Sequence, residues 1–462
     1  MSCLPCRDDY MYKVFFQRSK IVGLFSAIIT AALFFLPSCG FDMGDDNFAM
    51  SYNPALAGNT ESETPSMEES PKLEYSMPEM IPGVLVDRDG YSSNEVKFAN
   101  VFSEKLPDEY YVYDTETGER VYVGTPEEVF FDEEASKYSA KLIFENIEGS
   151  GRYYIYADGL GSSYSFQVSE NYYRDIYWNL ISSECDRIKN EDVSPWEVYS
   201  VLYSYERYKD VLYALKEDAP DVLGAVGNWI SKTDLDALNG ADCYISVAIL
   251  SKFGFNYKNV DQTLATECIQ KASALYKEHP LSAENDTEKQ AAFLALAELY
   301  RTSATRSYAA EILGMKDYLT SEREIYDSRY ILYGAMGYMT TRHSVDRSLC
   351  DDLMENLLYK CRDMNDDKKL IETDKASSAD KELLLVYAQQ FAAMNYILDG
   401  YEYNEQILNI RHFLSGRNTQ GFVCDIVGEY PSDAVAIYAW LAWLENNGKL
   451  DPSAPVIWNY SW

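Results

Sequence analysis

The chain is poor in positive charge. Its 462 residues carry 40 Lys and Arg against 74 Asp and Glu, a formal net charge of −34. A surface this acidic repels phosphate backbones, which excludes nucleic acid as a partner class. Histidine is scarcer still: His279, His343 and His412 are the only three, each isolated in sequence. No HExxH and no Ser/His/Asp constellation can be assembled from them. The cysteines beyond residue 39 (Cys185, Cys243, Cys268, Cys350, Cys361 and Cys424) are scattered and contain no CxxC. They read as buried thiols, with no metal-ligand spacing and no cofactor implied. Long apolar runs are also missing. The uncharged stretch from Ile21 to Leu36 is 16 residues, short of the roughly 20 that span a bilayer. What remains is 47% hydrophobic and 14% aromatic, with 40 tyrosines. That composition supports a large buried core and two or three domains.

The N-terminus reads as an address. Lys13, Arg18 and Lys20 lead into the Ile21 to Leu36 run, which closes on Leu36-Pro37-Ser38-Cys39-Gly40. A basic start, a short apolar stretch and small residues before a cleavage point make residues 1–38 a secretory signal. Met11 is an alternative start, because the segment it opens omits Asp8 and Asp9. Cys39 resembles the lipobox cysteine of bacterial lipoproteins. The resemblance implies that Cys39 carries the lipid, anchors the chain to a membrane and places it in the cell envelope outside the cytoplasm. Residues 39–80 are rich in Asp, Glu, Gly, Ser, Pro and Asn, with Lys72 as the one basic residue. Such a segment cannot bury enough apolar surface to fold, and its charge extends it. It is expected to be a disordered acidic tether.

Two folded parts follow, with different periods. Residues 81–169 alternate in strand fashion. Short aromatic and β-branched runs such as Tyr110-Tyr111-Val112-Tyr113 and Tyr153-Tyr154-Ile155-Tyr156 are separated by Asp89-Gly90, Thr117-Gly118 and Gly159-Leu160-Gly161. This predicts an antiparallel Ig-like β-sandwich. From residue 170 to 462 the period becomes helical, with about twelve helices. Between Ser432 and Asn446 only Asp433 and Glu445 are charged. A helix that apolar must be covered on several sides, as an inner helix of paired layers would be. Thr287 with Gln290 is a candidate capping box for the helix that follows.

Several segments, in this order, resemble the family 9 glycoside hydrolases, cellulases with an N-terminal Ig-like domain. Val86-Asp87-Arg88-Asp89-Gly90-Tyr91 followed by Lys97-Phe98-Ala99 is similar to the family's opening strands. Tyr205-Glu206, Pro220-Asp221-Val222-Leu223 and Trp229-Ile230 resemble its early helices. Ala297-Glu298-Leu299-Tyr300-Arg301 and His412-Phe413-Leu414-Ser415-Gly416-Arg417-Asn418 resemble later ones. The resemblance implies an (α/α)6 barrel after the sandwich, a substrate cleft at one end, and a polysaccharide or oligosaccharide of β-glucan type as partner.

Cleavage by inversion needs a carboxylic acid for the leaving oxygen and a carboxylate that activates water, about 6.5–9.5 Å apart. The family draws its base from an Asp-Ala-Gly-Asp loop. Here the matching region is Asp192-Val193-Ser194-Pro195-Trp196-Glu197, and that loop is absent. The family's acid is the Glu of an Asn-Glu-Val-Ala helix start. Here the stretch is Asp433-Ala434-Val435-Ala436, so Ala434 holds the acid's place. Asp433, one residue away, points about 100° around the helix. It reads as a carboxylate at a helix start, as do Glu191 and Asp192. Asp192, Glu197 and Glu429 are the candidates left for acid–base work, and Trp196 is the candidate for stacking on a sugar. Two readings stay open. One is a surface lipoprotein that keeps the scaffold and binds glycan or acts as a scaffold without hydrolysis. The other is an active inverting glycosidase that uses non-standard carboxylates such as Asp192 and Glu429.

Overall fold

The computed structural model describes residues 72–450, apart from 134, 146, 148–149, 216–217, 280–284 and 367–379. The signal, Cys39 and most of the tether lie outside the described residues. The last part of the expected tether does not. The backbone N–H of Leu73 donates to the carbonyl of Gly118 at 3.0 Å. The Tyr154 hydroxyl donates to the Leu73 carbonyl at 2.7 Å, and the Tyr75 hydroxyl accepts from the Ser165 N–H at 3.0 Å. Residues 72–75 therefore form a strap on the sandwich. Composition places them in the tether, but half-buried Leu73 and Tyr75 lay apolar surface on the sheet, with the Tyr75 ring 4.9 Å from that of Tyr154.

Ten strands build the sandwich: β1 Val84–Leu85, β2 Tyr91–Ser92, β3 Phe98–Ser103, β4 Tyr110–Asp114, β5 Arg120–Gly124, β6 Glu127–Asp132, β7 Lys137–Ile143, β8 Gly151–Ala157, β9 Gly161–Ser162 and β10 Phe166–Ser169. One sheet has the order β1-β3-β7-β6 and the other β2-β10-β8-β4-β5, with β9 beside β8. Alternation sets which side chains meet between the layers. Tyr110 and Val112 of β4, Ile155 of β8, and Phe166 and Val168 of β10 are buried in one core, while Gln167 faces out. The turn before β2 needs its glycine. Gly90 has φ +138°, and a Cβ there would sit 2.5 Å from the Gln167 carbonyl oxygen. Asp87 holds that turn by accepting from the N–H groups of Asp89 and Gly90, both at 2.8 Å.

Twelve longer helices follow among the described residues: α1 Tyr172–Asn190, α2 Pro195–Leu215, α3 Val222–Lys232, α4 Gly240–Tyr257, α5 Gln262–Glu278, α6 Asp286–Ser303, α7 Arg306–Gly314, α8 Arg329–Met339, α9 Arg347–Asp366, α10 Lys381–Leu398, α11 Asn404–Leu414 and α12 Pro431–Asn446. The even-numbered helices touch in a closed cycle, α2 to α4, α6, α8, α10, α12 and back to α2. Burial explains which helices are inside. Every residue of α6 from Ala291 to Tyr300 is buried, whereas outer α5 buries Ala265, Cys268, Ala272 and Leu275 along one stripe. The result is an (α/α)6 barrel. The cap of α6 differs from the sequence expectation. Asn285, not Thr287, accepts from the Glu288 N–H at 3.2 Å and donates to the Glu288 carboxylate at 3.0 Å. Asparagine caps as well as threonine, and Asp286 adds an acid to the first turn here.

A buried polar lock joins sandwich to barrel. Asp87 pairs with Arg411, and its Oδ2 lies 2.7 Å from Nδ1 of His412. Glu95 accepts from the Tyr173 hydroxyl at 2.6 Å and from the Ser92 N–H at 3.0 Å. Glu445 of α12 accepts from the Ser92 hydroxyl at 2.5 Å and from the Arg174 N–H at 2.9 Å. His412 is thus part of a structural lock, and burial together with Arg417 and Arg411 pushes its pKa well down.

Candidate functional site

The starts of three inner helices meet at one end of the barrel. Pro195 occupies the first position of α2, where its missing N–H costs nothing. It presents Trp196 to the first turn of α8. The Trp196 ring stacks on Tyr199 at 5.5 Å and 22°, and stands edge-on to Tyr330 at 5.1 Å. Tyr333 and Tyr203 extend this wall inward, 4.4 Å apart. Trp196 and Tyr330 are half-buried, while Tyr199, Tyr203 and Tyr333 are buried. The outer two therefore keep aromatic surface available at the mouth.

Asp433, in the first turn of α12, reaches the same place. Its Oδ1 and Oδ2 lie 2.7 Å from Nε and Nη2 of Arg329. Gln389 of α10 donates to Oδ1 at 2.8 Å, and Gln389 in turn accepts from the Tyr333 hydroxyl at 2.6 Å. Burial pushes the Asp433 carboxyl above its ordinary value, although Arg329 and Gln389 pull against it. Both oxygens are engaged by fixed donors, so Asp433 serves as counter-ion to Arg329. Ala434, at the place the resemblance gives to the acid, is fully buried and has no proton to offer.

The sequence-derived carboxylates are spread around this mouth. Asp192 is exposed on the link between α1 and α2. Glu197 is the reciprocal half of a capping box. It accepts from the N–H and hydroxyl of Ser194 at 2.8 and 2.7 Å and from Arg187 at 2.7 Å. Burial alone would raise its pKa, but Ser194 and Arg187 outweigh that and hold it below the ordinary range. Glu429 ends the short helical turn Ile426–Glu429 on the approach to α12, 3.5 Å from Lys381. Of the predicted set, Trp196 sits in the aromatic wall, Glu197 is absorbed into a helix cap, and Asp192 and Glu429 lie on two different links.

Below the mouth the barrel axis is ionic. Lys252 of α4 lies 2.8 Å from Glu298 and 3.0 Å from Glu206. Arg301 grips both oxygens of Glu206 at 2.6 Å. Tyr199 links this centre to the wall by donating to Glu298 at 2.9 Å. Burial would raise both carboxyls, but Lys252 and Arg301 overcome it and hold them low. Sequence motifs had flagged Glu206, Glu298 and Arg301 without showing that they meet. Arg329, Tyr330 and Gln389 were missed. Arg329 and Tyr330 are signalled locally as a polar and aromatic pair opening a helix after Ser328, whereas Gln389 lies inside the α10 run. Among the described residues no group of three or more His, Cys, Asp or Glu side chains is placed to hold a metal ion.

The profile of the cellulase N-terminal Ig-like domain matches residues 80–162. A metagenome-derived glycoside hydrolase family 9 endoglucanase superposes with a TM-score of 0.57 at 14% identity, covering 73% of this chain and 84% of that one. The Bacteroides ovatus family 9 glycoside hydrolase gives 0.55 at 12%, over 80% and 98%. AaCel9A, in complex with a cellobiose-like isofagomine, gives 0.54 at 13%, over 73% and 83%. The fold is that of the family 9 endoglucanases. No curated protein matches the chain by sequence. Identity this low establishes the family 9 architecture and leaves the chemistry to the residues at the mouth.

Proposed function

We propose that this chain is a lipid-anchored envelope protein that holds a glycan at the mouth of a family 9-type barrel without cleaving it by the family's inverting route. The observation that carries the proposal is the pairing of Ala434 with a clamped Asp433. Neither can hand a proton to a leaving oxygen, and general acid catalysis requires such a group before its pKa matters. The missing Asp-Ala-Gly-Asp loop removes the base side in the same way. The half-exposed faces of Trp196 and Tyr330 favour retention of a sugar-stacking surface. The cellobiose-like ligand of AaCel9A supports a β-glucan type of partner. The run before Cys39 supports the anchor.

The test uses the chain from residue 40. Affinity electrophoresis in several β-glucans measures binding, and release of reducing ends measures turnover. Binding without turnover is expected, with Trp196→Ala and Tyr330→Ala each weakening binding about tenfold. Turnover that disappears in Asp192→Asn or Glu429→Gln would instead establish the second reading, an active inverting glycosidase with non-standard carboxylates.

A further inference from the structure

We propose that the open side of the sandwich is a docking edge that receives an extended, basic segment of a partner protein. Strand β5 ends one sheet and β6 ends the other. Only Thr125 and Pro126 separate them, so the two free edges lie side by side. Val121, Val123, Val129, Phe130, Phe131 and Tyr138 are all exposed there. Of these, Phe131 and Tyr138 pair on one face, where exposed aromatic surface is unusual without a partner.

The register shows what kind of surface it is. Phe131 pairs with Tyr138, and Tyr138 shares its face of β7 with Ala140 and Leu142. Leu142 belongs to the sandwich core. Phe131 and Tyr138 thus continue the inner layer, with rings 4.8 Å apart, yet they remain 44% and 37% exposed. The core runs out before its last side chains are covered. Native sheets blunt their edges with charge, proline or bulges. Here the register shift is confined to the start of β6, between Glu127 and Phe130, and the pairing of Phe130 through Asp132 is regular. A partner strand laid along β6 would use its free backbone groups and cover the exposed inner side chains, which is β-strand addition.

Charge selects the occupant. Residues 116–137 hold seven acidic and two basic side chains. A second copy of this chain, itself at −34, would bring like charge to that rim. A segment alternating apolar residues with Lys or Arg fits both the strand period and the field.

The experiment uses the chain from residue 40 and a fluorescent nonapeptide of alternating Lys and Val, followed by anisotropy. A peptide of equal charge carrying two prolines serves as comparator, since it cannot pair along an edge. The alternating peptide should bind at least about tenfold more tightly, and it should slow hydrogen exchange at the β6 amides. Val129→Ser with Phe131→Ser should cut that affinity about tenfold while the chain still unfolds in a single cooperative thermal transition, because both side chains lie at the exposed end of the layer. Equal binding of the two peptides would overturn the proposal in favour of charge alone. Absence of binding would overturn it outright. A dimer in sedimentation that the double variant dissolves would assign the edge to a second copy.

Discussion

Arg329 and Asp433, 104 residues apart in sequence, form a two-point ion pair where the starts of α8 and α12 meet. The pair joins the first turns of two inner helices at one end of the barrel, and it turns a carboxylate into a strut. Removing the cation leaves a buried carboxylate with only Gln389. Arg329→Ala should therefore destabilise the barrel by about 2 kcal/mol, below the usual cost of breaking a fully buried pair because Arg329 is partly exposed. Asp433→Asn keeps the bond from Gln389 and should cost about 1 kcal/mol. Urea midpoints of the two variants check the order.

The barrel axis makes a sharper prediction. Lys252 and Glu298 are each only 1% exposed, and Lys252 also contacts Glu206. Lys252→Met would leave two buried carboxylates with Arg301 as their shared ion-pair partner. The expected loss is about 3–5 kcal/mol, enough to lower the amount of folded protein recovered. Tyr199→Phe removes one hydrogen bond to Glu298 and should cost about 1 kcal/mol. A Lys252→Met variant as stable as the parent would mean that the ionic centre is dispensable.

The architecture was legible because its signals are local. The strand alternation at Tyr110 to Tyr113 and the change to helical period after residue 170 are both visible in short windows. Strand β6 was less readable because five of its six residues are exposed, so no buried alternation marks it. The strap at Leu73 and Tyr75 was hidden by the acidic composition around it. At the mouth, Ala434 was readable in sequence, whereas the clamp on Asp433 was not. Arg329 and Gln389 come from two other helices, and only closure of the ring brings them within bonding distance.

The anchor is tested separately from the fold. Cys39 follows Leu36-Pro37-Ser38, and lipidation there would make processing and membrane retention depend on one sulfur. Labelled palmitate should enter the expressed protein and be lost in Cys39→Ala, which should also accumulate at the unprocessed length. Label retained in that variant would move the attachment elsewhere.

The lock between sandwich and barrel should make stability depend on pH in a defined direction. Burial pushes the carboxyl of Asp87 up to about 6, that of Glu445 to about 7 and that of Glu95 to about 8. Each therefore holds its proton more firmly in the folded protein than in the unfolded chain. Their stabilising contribution is complete below the ordinary carboxylate range and is lost as pH rises through those three values. Glu206 and Glu298 are held low and act oppositely, but their contribution falls away only in acid, outside this window. His412, held neutral by burial and its arginine neighbours, also acts oppositely and offsets part of the decline up to the ordinary histidine value. The urea midpoint should thus decline between about pH 4.5 and pH 8. Glu445→Gln can turn its oxygen to the Arg174 N–H and donate from its amide nitrogen to the Ser92 hydroxyl oxygen, without the titration. It should flatten the part of that decline between the ordinary glutamate range and about pH 7, and hydrogen exchange at the Arg174 amide should follow the same profile. A midpoint that rises across this range, or a Glu445→Gln curve that parallels the parent, would show that the lock does not hold its protons in this way.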